Sequence, residues 1–274
     1  MKSRLFALIA LSLAFHAAAA ERIVSIGGDV TQIIYALDAQ QELVARDSTS
    51  LHPEVVKKKL PDVGYMRQLN AEGILALKPT LVIASELAKP ALALQQVEQN
   101  GVKVVDVTGK TDISAINEKI QTIATTLHRE EAGKALQEKV RKQLASVPTN
   151  PLPVNVLFIL AHQGMGAMGA GRDTSADAAI RAAGLQNAMS GIQRYQPLSQ
   201  EGVIASAPQL IVATRDGIRT LGGEDNLWKL PGLALTPAGK NHQLLVVDDM
   251  ALLGFGIDTP AAILKLRQIA ETLK

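Results

Sequence analysis

The sequence predicts an α/β protein of two lobes, each built on a parallel sheet. Three observations carry that expectation. Short, wholly apolar strand-like runs alternate with helix-patterned stretches, which implies parallel sheets covered on both faces. One long central segment has helical spacing and no strand signal. An eight-residue unit recurs at a constant offset of 129 residues.

From the N-terminus, Lys2 and Arg4 precede an apolar run over 5–15, broken only by Ser12, and Ala18-Ala19-Ala20 follows. This is the pattern of a secretory signal peptide cleaved after Ala20, and the run is too short to cross a bilayer. The first strand covers 22–26 and ends at Gly27-Gly28. A helix over 31–37 follows, with Asp29 as its cap. Further apolar strands are expected at 81–84, 102–107, 154–160, 210–213 and 244–247. Between 113 and 147, apolar residues fall at 113, 116, 120, 123, 127, 136, 140, 144 and 147, which is helical spacing. Gly133 and the charged run 128–131 suggest a break into two helices, and Pro148, Pro151 and Pro153 close the segment. The expected organisation is a signal peptide (1–20), an N-terminal lobe (21–128), a linking helix (129–150) and a C-terminal lobe (151–274).

The repeat pairs 69–76 with 198–205. Each unit contains Leu-x-x-Glu-Gly, with Glu72 and Glu201, and each runs through a proline, Pro79 or Pro208, into an apolar strand. Asn70 and Ser199 are good helix caps, and acids suit a first helical turn. Capping does not explain why both Glu residues are followed by Gly, a poor helix former.

Composition narrows the function classes. Without the leader, the 28 basic residues lose Lys2 and Arg4, leaving 26 against 26 acidic ones over 254 residues. A formally neutral chain offers no electrostatic case for nucleic acid or an anionic membrane. There is no cysteine, which excludes disulfides, thiolate metal sites and thiol chemistry. No nucleophile elbow, P-loop or His-rich metal spacing is present. Ser25-Ile26-Gly27-Gly28 is only a fragment of a dinucleotide loop. A catalytic reading has little to stand on.

Aromatic residues are scarce, and one of them, Tyr65, lies in the loop stretch Gly64-Tyr65-Met66-Arg67. A phenolate is a hard oxygen donor suited to ferric iron, and Tyr is a known axial haem ligand. Arg67 supplies a nearby cation to favour the phenolate. Read locally, Tyr65 is equally a loop aromatic packed across a helix N-terminus. His162 follows the strand 154–160 and opens a run rich in Gly and Met, 163–171, read as a loop that lets a flat apolar ligand approach. Its alternative is a loop histidine bonded to backbone. Tyr195 is a further cleft candidate. Tyr35 reads as core and Trp228 as a turn anchor. Arg172, Arg194 and Arg215 are candidate partners for ligand carboxylates.

These residues resemble periplasmic haem-binding proteins of bacterial haem ABC importers, the group that includes HmuT, ShuT and PhuT. The match lies in 22–28, in Leu60-Pro61-Asp62-Val63-Gly64-Tyr65 and in the paired Leu-x-x-Glu-Gly units, and it extends over the whole mature chain. The resemblance implies a two-lobed periplasmic binding protein fold of class III type, with parallel sheets joined by a long interdomain helix. It implies ferric haem, one or two stacked, in the cleft, with Tyr65 as proximal iron ligand, Arg67 supporting it and His162 as a second ligand. It implies that Glu72 and Glu201 dock a permease homodimer in the inner membrane. The expected protein is a monomeric, non-enzymatic carrier in the periplasm, with no nucleic acid partner and no membrane insertion. The alternatives are a binder of ferric siderophore or cobalamin for a related importer, and a periplasmic haem-modifying enzyme.

Overall fold

A computed structural model describes residues 21–54, 56, 59–162 and 165–273; the expected signal peptide lies outside them. Strands β1 (Ile23–Ile26), β2 (Leu43–Arg46), β3 (Leu81–Ser85) and β4 (Lys103–Val107) form a wholly parallel sheet in the order β2-β1-β3-β4. β1 and β3 are buried along their whole length, as expected for strands with helices on both faces.

The second sheet is mixed. β5 (Asn155–His162), β9 (Leu210–Thr214) and β10 (Leu244–Val247) run parallel. β6 (Met165–Ala170) and β8 (Tyr195–Pro197) then add antiparallel strands, giving the order β10-β9-β5-β6-β8. A two-residue strand, β7 (Gln186–Asn187), pairs with the foot of β5. This corrects the reading of 163–171 as a loop, for the part that is described. Two of its glycines serve packing: a Cβ on Gly169 would stand 3.0 Å from Leu198, and one on Gly171 would meet the Ile192 carbonyl.

The central segment folds as two helices, Ser114–Thr126 and Glu130–Ala145. The break falls at 127–129, where His128 takes a φ of 54°. Gly133 lies inside the second helix. A Cβ there would come within 2.5 Å of the Ala124 Cβ, so the glycine lets the two helices touch. At about 1.5 Å per residue, the 16-residue helix Glu130–Ala145 is roughly 24 Å long.

The two sheets share one apolar core. It runs from Ile23, Ile33 and Ile83 through Ile120 and Val140 to Phe158, Val212 and Phe255. Polar contacts lock the same junction. Lys119, 2% exposed, donates to the Asp29 carboxylate and to the Gly254 carbonyl. Asp29 therefore does not cap its helix, Gly28–Ala36, which has Gly27 at the cap position and no side-chain cap bond. The carboxylate is taken by the buried ammonium instead. Gln32 reaches Asp258 at 3.1 Å across the same seam. Lys119→Met is expected to lower the unfolding free energy by about 3–5 kcal/mol, because it strands a buried carboxylate without its counter-charge. Adding Asp29→Leu should recover most of that loss in denaturant titrations.

Candidate functional site

The loops after the parallel strands gather at one end of each sheet, where ligands bind in open α/β folds. The loop after β1 has internal work to do. The N–H of Gly27 donates to Asp47 Oδ1 at 3.0 Å, and that of Gly28 donates to Thr49 Oγ1 at 3.0 Å. Asp47 also accepts from Ser50 and Thr49 and is fully buried. Groups that would cradle a phosphate in a dinucleotide loop are thus occupied by the protein's own carboxylate and hydroxyl.

Tyr65 is held in a braced loop. Arg46 at the end of β2 donates to Asp62 Oδ2 at 2.6 Å. Asp62 Oδ1 accepts from the Ser48 hydroxyl and from the Gly64 N–H. The Ser48 N–H donates to the Gly64 carbonyl at 2.9 Å. Gly64 has φ +98°, a conformation that other residues rarely adopt, although its missing side chain would meet nothing within 4 Å. Met66, 7% exposed, roots the loop in the apolar layer behind it, and Tyr65 packs on the margin of that layer. Gln68 N–H closes a turn on the Tyr65 carbonyl.

His162 ends β5 on the other sheet and is exposed. The structure brings it face to face with Tyr65, with ring centroids 5.9 Å apart and planes 29° from parallel. Its Nδ1 lies 3.9 Å from Asp216 Oδ2, and Asp216 also pairs with Arg219. The same lip carries Asp248 and Asp249. Asp248 meets His52 Nε2 at 2.8 Å, a contact from the C-terminal sheet to the segment after β2. Burial raises the Asp249 carboxyl above its usual range, opposed by hydrogen bonds from Thr214 and the Asp216 N–H. His52, Asp216, Asp248 and Asp249 were not singled out from the sequence. They are ordinary loop residues there, and only strand order brings them to the cleft.

Arg67 is exposed, and Tyr195 is the half-buried first residue of β8. Burial pushes the Tyr195 phenol up to about 12, and the Arg67 guanidinium pulls the other way. The three arginine candidates separate. Arg215 opens the helix Arg215–Leu221 next to Asp216, at the cleft end. Because β6 runs back from the cleft, Arg172 lies at the opposite end, and Arg194 bonds to it through backbone. There Arg172, Asp177, Arg181 and Asn187 line a depression of about 740 Å³. Trp228 packs edge-on against His242, as a turn anchor does, and Tyr35 sits on the margin of the shared core.

Glu72 and Glu201 occupy matching places, each exposed in the first turn of a short helix, Ala71–Leu75 and Gln200–Ser206. The Asn70 side chain accepts from the Glu72 N–H at 2.8 Å, and Ser199 Oγ accepts from the Gly202 N–H at 3.1 Å.

Residues 23–251 match the family described as periplasmic binding protein. Among solved structures, the periplasmic heme-binding protein RhuT from Roseiflexus sp. RS-1, in apo form, is 38% identical. The likeness covers 93% of this chain and 99% of that one, with a TM-score of 0.88. The periplasmic heme-binding protein BhuT, in complex with two hemes, is 36% identical over 93% of this chain and 99% of its own, with a TM-score of 0.84. A vitamin B12-binding protein of Vibrio vulnificus (strain CMCP6) is 27% identical over 99% of this chain and 96% of its own.

The raised Tyr195 phenol has a consequence for alkaline pH. Between pH 10.0, the ordinary value, and about 12, the folded chain retains a proton that the unfolded chain has released. Stability should therefore fall as pH rises through that window. In a spectrophotometric titration, Tyr195→Phe is expected to remove the last phenolate to appear.

Proposed function

The chain belongs to the periplasmic binding protein family, and on that premise we propose that it carries ferric haem through the periplasm to an ABC importer of the inner membrane. The observation that carries this reading is the Tyr65–His162 pair, one hard oxygen donor and one imidazole facing each other from two sheets. A phenol and an imidazole are both side-chain types that would hold haem iron.

In this reading Tyr65 is the primary ligand. Ligation would use the phenolate, which bound iron favours, with Arg67 two residues on as its support. Asp62 acts through position: it holds the loop that aims the phenol. Asp216, facing His162 Nδ1, would fix the imidazole so that Nε2 is turned to the iron, as carboxylates do behind metal-bound histidines. The rings now stack directly, so a macrocycle between them requires the side chains to swing apart. Arg67 and Arg215 are the cations at the cleft that suit the propionates. The bound load is one haem, or two stacked with His162 serving the second. Glu72 and Glu201, one per lobe, would dock the two subunits of a permease homodimer. The leader over 1–20 accounts for export, and the carrier works as a monomer without catalysis.

The curated relatives favour a second cargo, cobalamin. That cargo needs no axial tyrosine from the protein, so the two readings part at Tyr65.

Haemin added to the purified chain should shift the Soret band saturably, and Tyr65→Ala should abolish or blunt the shift. An unchanged haemin spectrum with saturable cobalamin binding would overturn the haem reading. Asp62→Ala is expected to weaken haemin by about tenfold while leaving the ligand itself in place. If His162 holds a second haem, the haem-to-protein ratio at saturation should fall from two to one in His162→Ala. Glu72→Lys with Glu201→Lys should abolish uptake into cells and leave haemin affinity intact.

A further inference from the structure

Among the described residues, the large apolar side chains that stand exposed are Leu92 (58%), Ile204 (38%) and Leu235 (57%). Single exposed apolar residues are common and scatter over a surface. These do not scatter: Ile204 lies in the helix that carries Glu201, Leu235 in a turn packed on that helix, and Leu92 in a helix packed on the one that carries Glu72.

On the N-terminal lobe, the helix Ala91–Gln99 packs Ala93, Leu94 and Val97 into the layer that holds Ala71 and Ile74. Its start is tied to the start of the Glu72 helix, because the Leu69 N–H donates to the Lys89 carbonyl at 2.9 Å. Leu92 and Glu72 thus both stand in first turns that begin at one anchored point. Leu75, half-buried, is three residues beyond Glu72 and shares its helix face. On the C-terminal lobe, Ile204 is three residues beyond Glu201 and occupies the repeat position of Leu75, 129 residues on. Leu235 comes from the 3-10 turn Leu233–Leu235, and the preceding Gly232 is pressed on the Glu201 helix. A Cβ on Gly232 would stand 2.6 Å from the Gln200 carbonyl and 3.2 Å from Ile204. Each lobe therefore has an exposed aliphatic residue on an element packed against its Glu helix.

The glycines after each Glu add a difference. A Cβ on Gly202 would come within 2.8 Å of the capping Ser199 Oγ, so the cap itself requires glycine. At Gly73 a Cβ would meet nothing within 4 Å, and φ is not left-handed. The fold makes no demand for glycine there; the bare backbone leaves room beside Glu72 for an approaching partner.

We propose that each lobe docks through a carboxylate set in an aliphatic collar: Glu72 with Leu75 and Leu92, and Glu201 with Ile204 and Leu235. The partner is the pair of permease subunits, each offering a cationic pocket with an apolar rim. This rests on the reading of the chain as an importer's carrier. The physical reason for the collar is water. A fully solvated ion pair contributes little, because solvent screens it and two long side chains must be ordered. Aliphatic side chains closing around the pair exclude solvent and strengthen it. No ion-pair partner within the chain is recorded for Glu72 or Glu201 among the described residues, so both are available to a cation from outside.

The test uses the full-length chain expressed in its own host deleted for it, with uptake of radiolabelled haem as the readout. Leu92→Ser with Leu235→Ser is expected to cut the uptake rate by about tenfold. Haemin affinity and melting temperature should stay at wild-type values. Leu92→Met with Leu235→Met should retain uptake. Glu72→Gln with Glu201→Gln serves as the reference for docking. If that pair abolishes uptake while the serine pair leaves it intact, the collar is overturned and the docking carboxylates stand. If neither pair changes uptake, the docking reading fails and the collar with it. If sedimentation shows a dimer of the wild-type chain that the serine pair abolishes, the patch belongs to a second copy and the proposal is overturned.

Discussion

A buried ammonium holds this molecule's geometry together. Lys119 is shared between a carboxylate on the first helix and a backbone carbonyl of the C-terminal lobe. Around it, one apolar core passes without interruption from the first sheet to the second. A charge in that position is costly unless its partners are fixed, so the seam has one good arrangement. The cleft inherits that arrangement. Tyr65 and His162 belong to different sheets, and their stacking distance is set by how the sheets are joined. A junction this continuous favours ligand exchange by side-chain rotation and small tilts over wide hinge closure.

Tyr195, Tyr65 and Arg67 sit in different surroundings. Tyr195 is pushed by burial toward a permanently neutral phenol. Tyr65 sits at the margin of its apolar layer, on a loop braced through Arg46 and Asp62, with an imidazole as its face-on neighbour. Arg67 lies between the two tyrosines in function, since the same guanidinium acts on Tyr195 and stands two residues from Tyr65.

Where structure departs from the sequence reading, a tertiary contact is the cause in each case. The Gly- and Met-rich run read as a loop because glycine weakens any strand pattern; its described part over 165–170 is a strand because it pairs with β5 and β8, and Leu198 presses on Gly169. Gly133 read as a helix break, yet it is the point where two helices meet. Asp29 read as a cap, but Lys119 claims its carboxylate. Arg172 is one of three candidate partners for ligand carboxylates in the sequence, and the reversal of β6 puts it at the end of the sheet away from His162.

The sequence by itself determined the two-lobed α/β class, because wholly apolar strands and a long helical segment admit few other arrangements. It also determined the matching Glu helices, whose caps are local and formed as the residue types require. It singled out Tyr65 and His162 one at a time, each with a bland alternative. Their pairing was decided only by the tertiary structure, as were the acidic lip and the packing of the Leu92 and Leu235 elements on the repeat helices. The physical reason is the same for all three. Periodicity and capping report on neighbours within a few residues. The cleft and the collar are made by segments that meet only when parallel strands bring their carboxyl ends, or two helix starts, to one place.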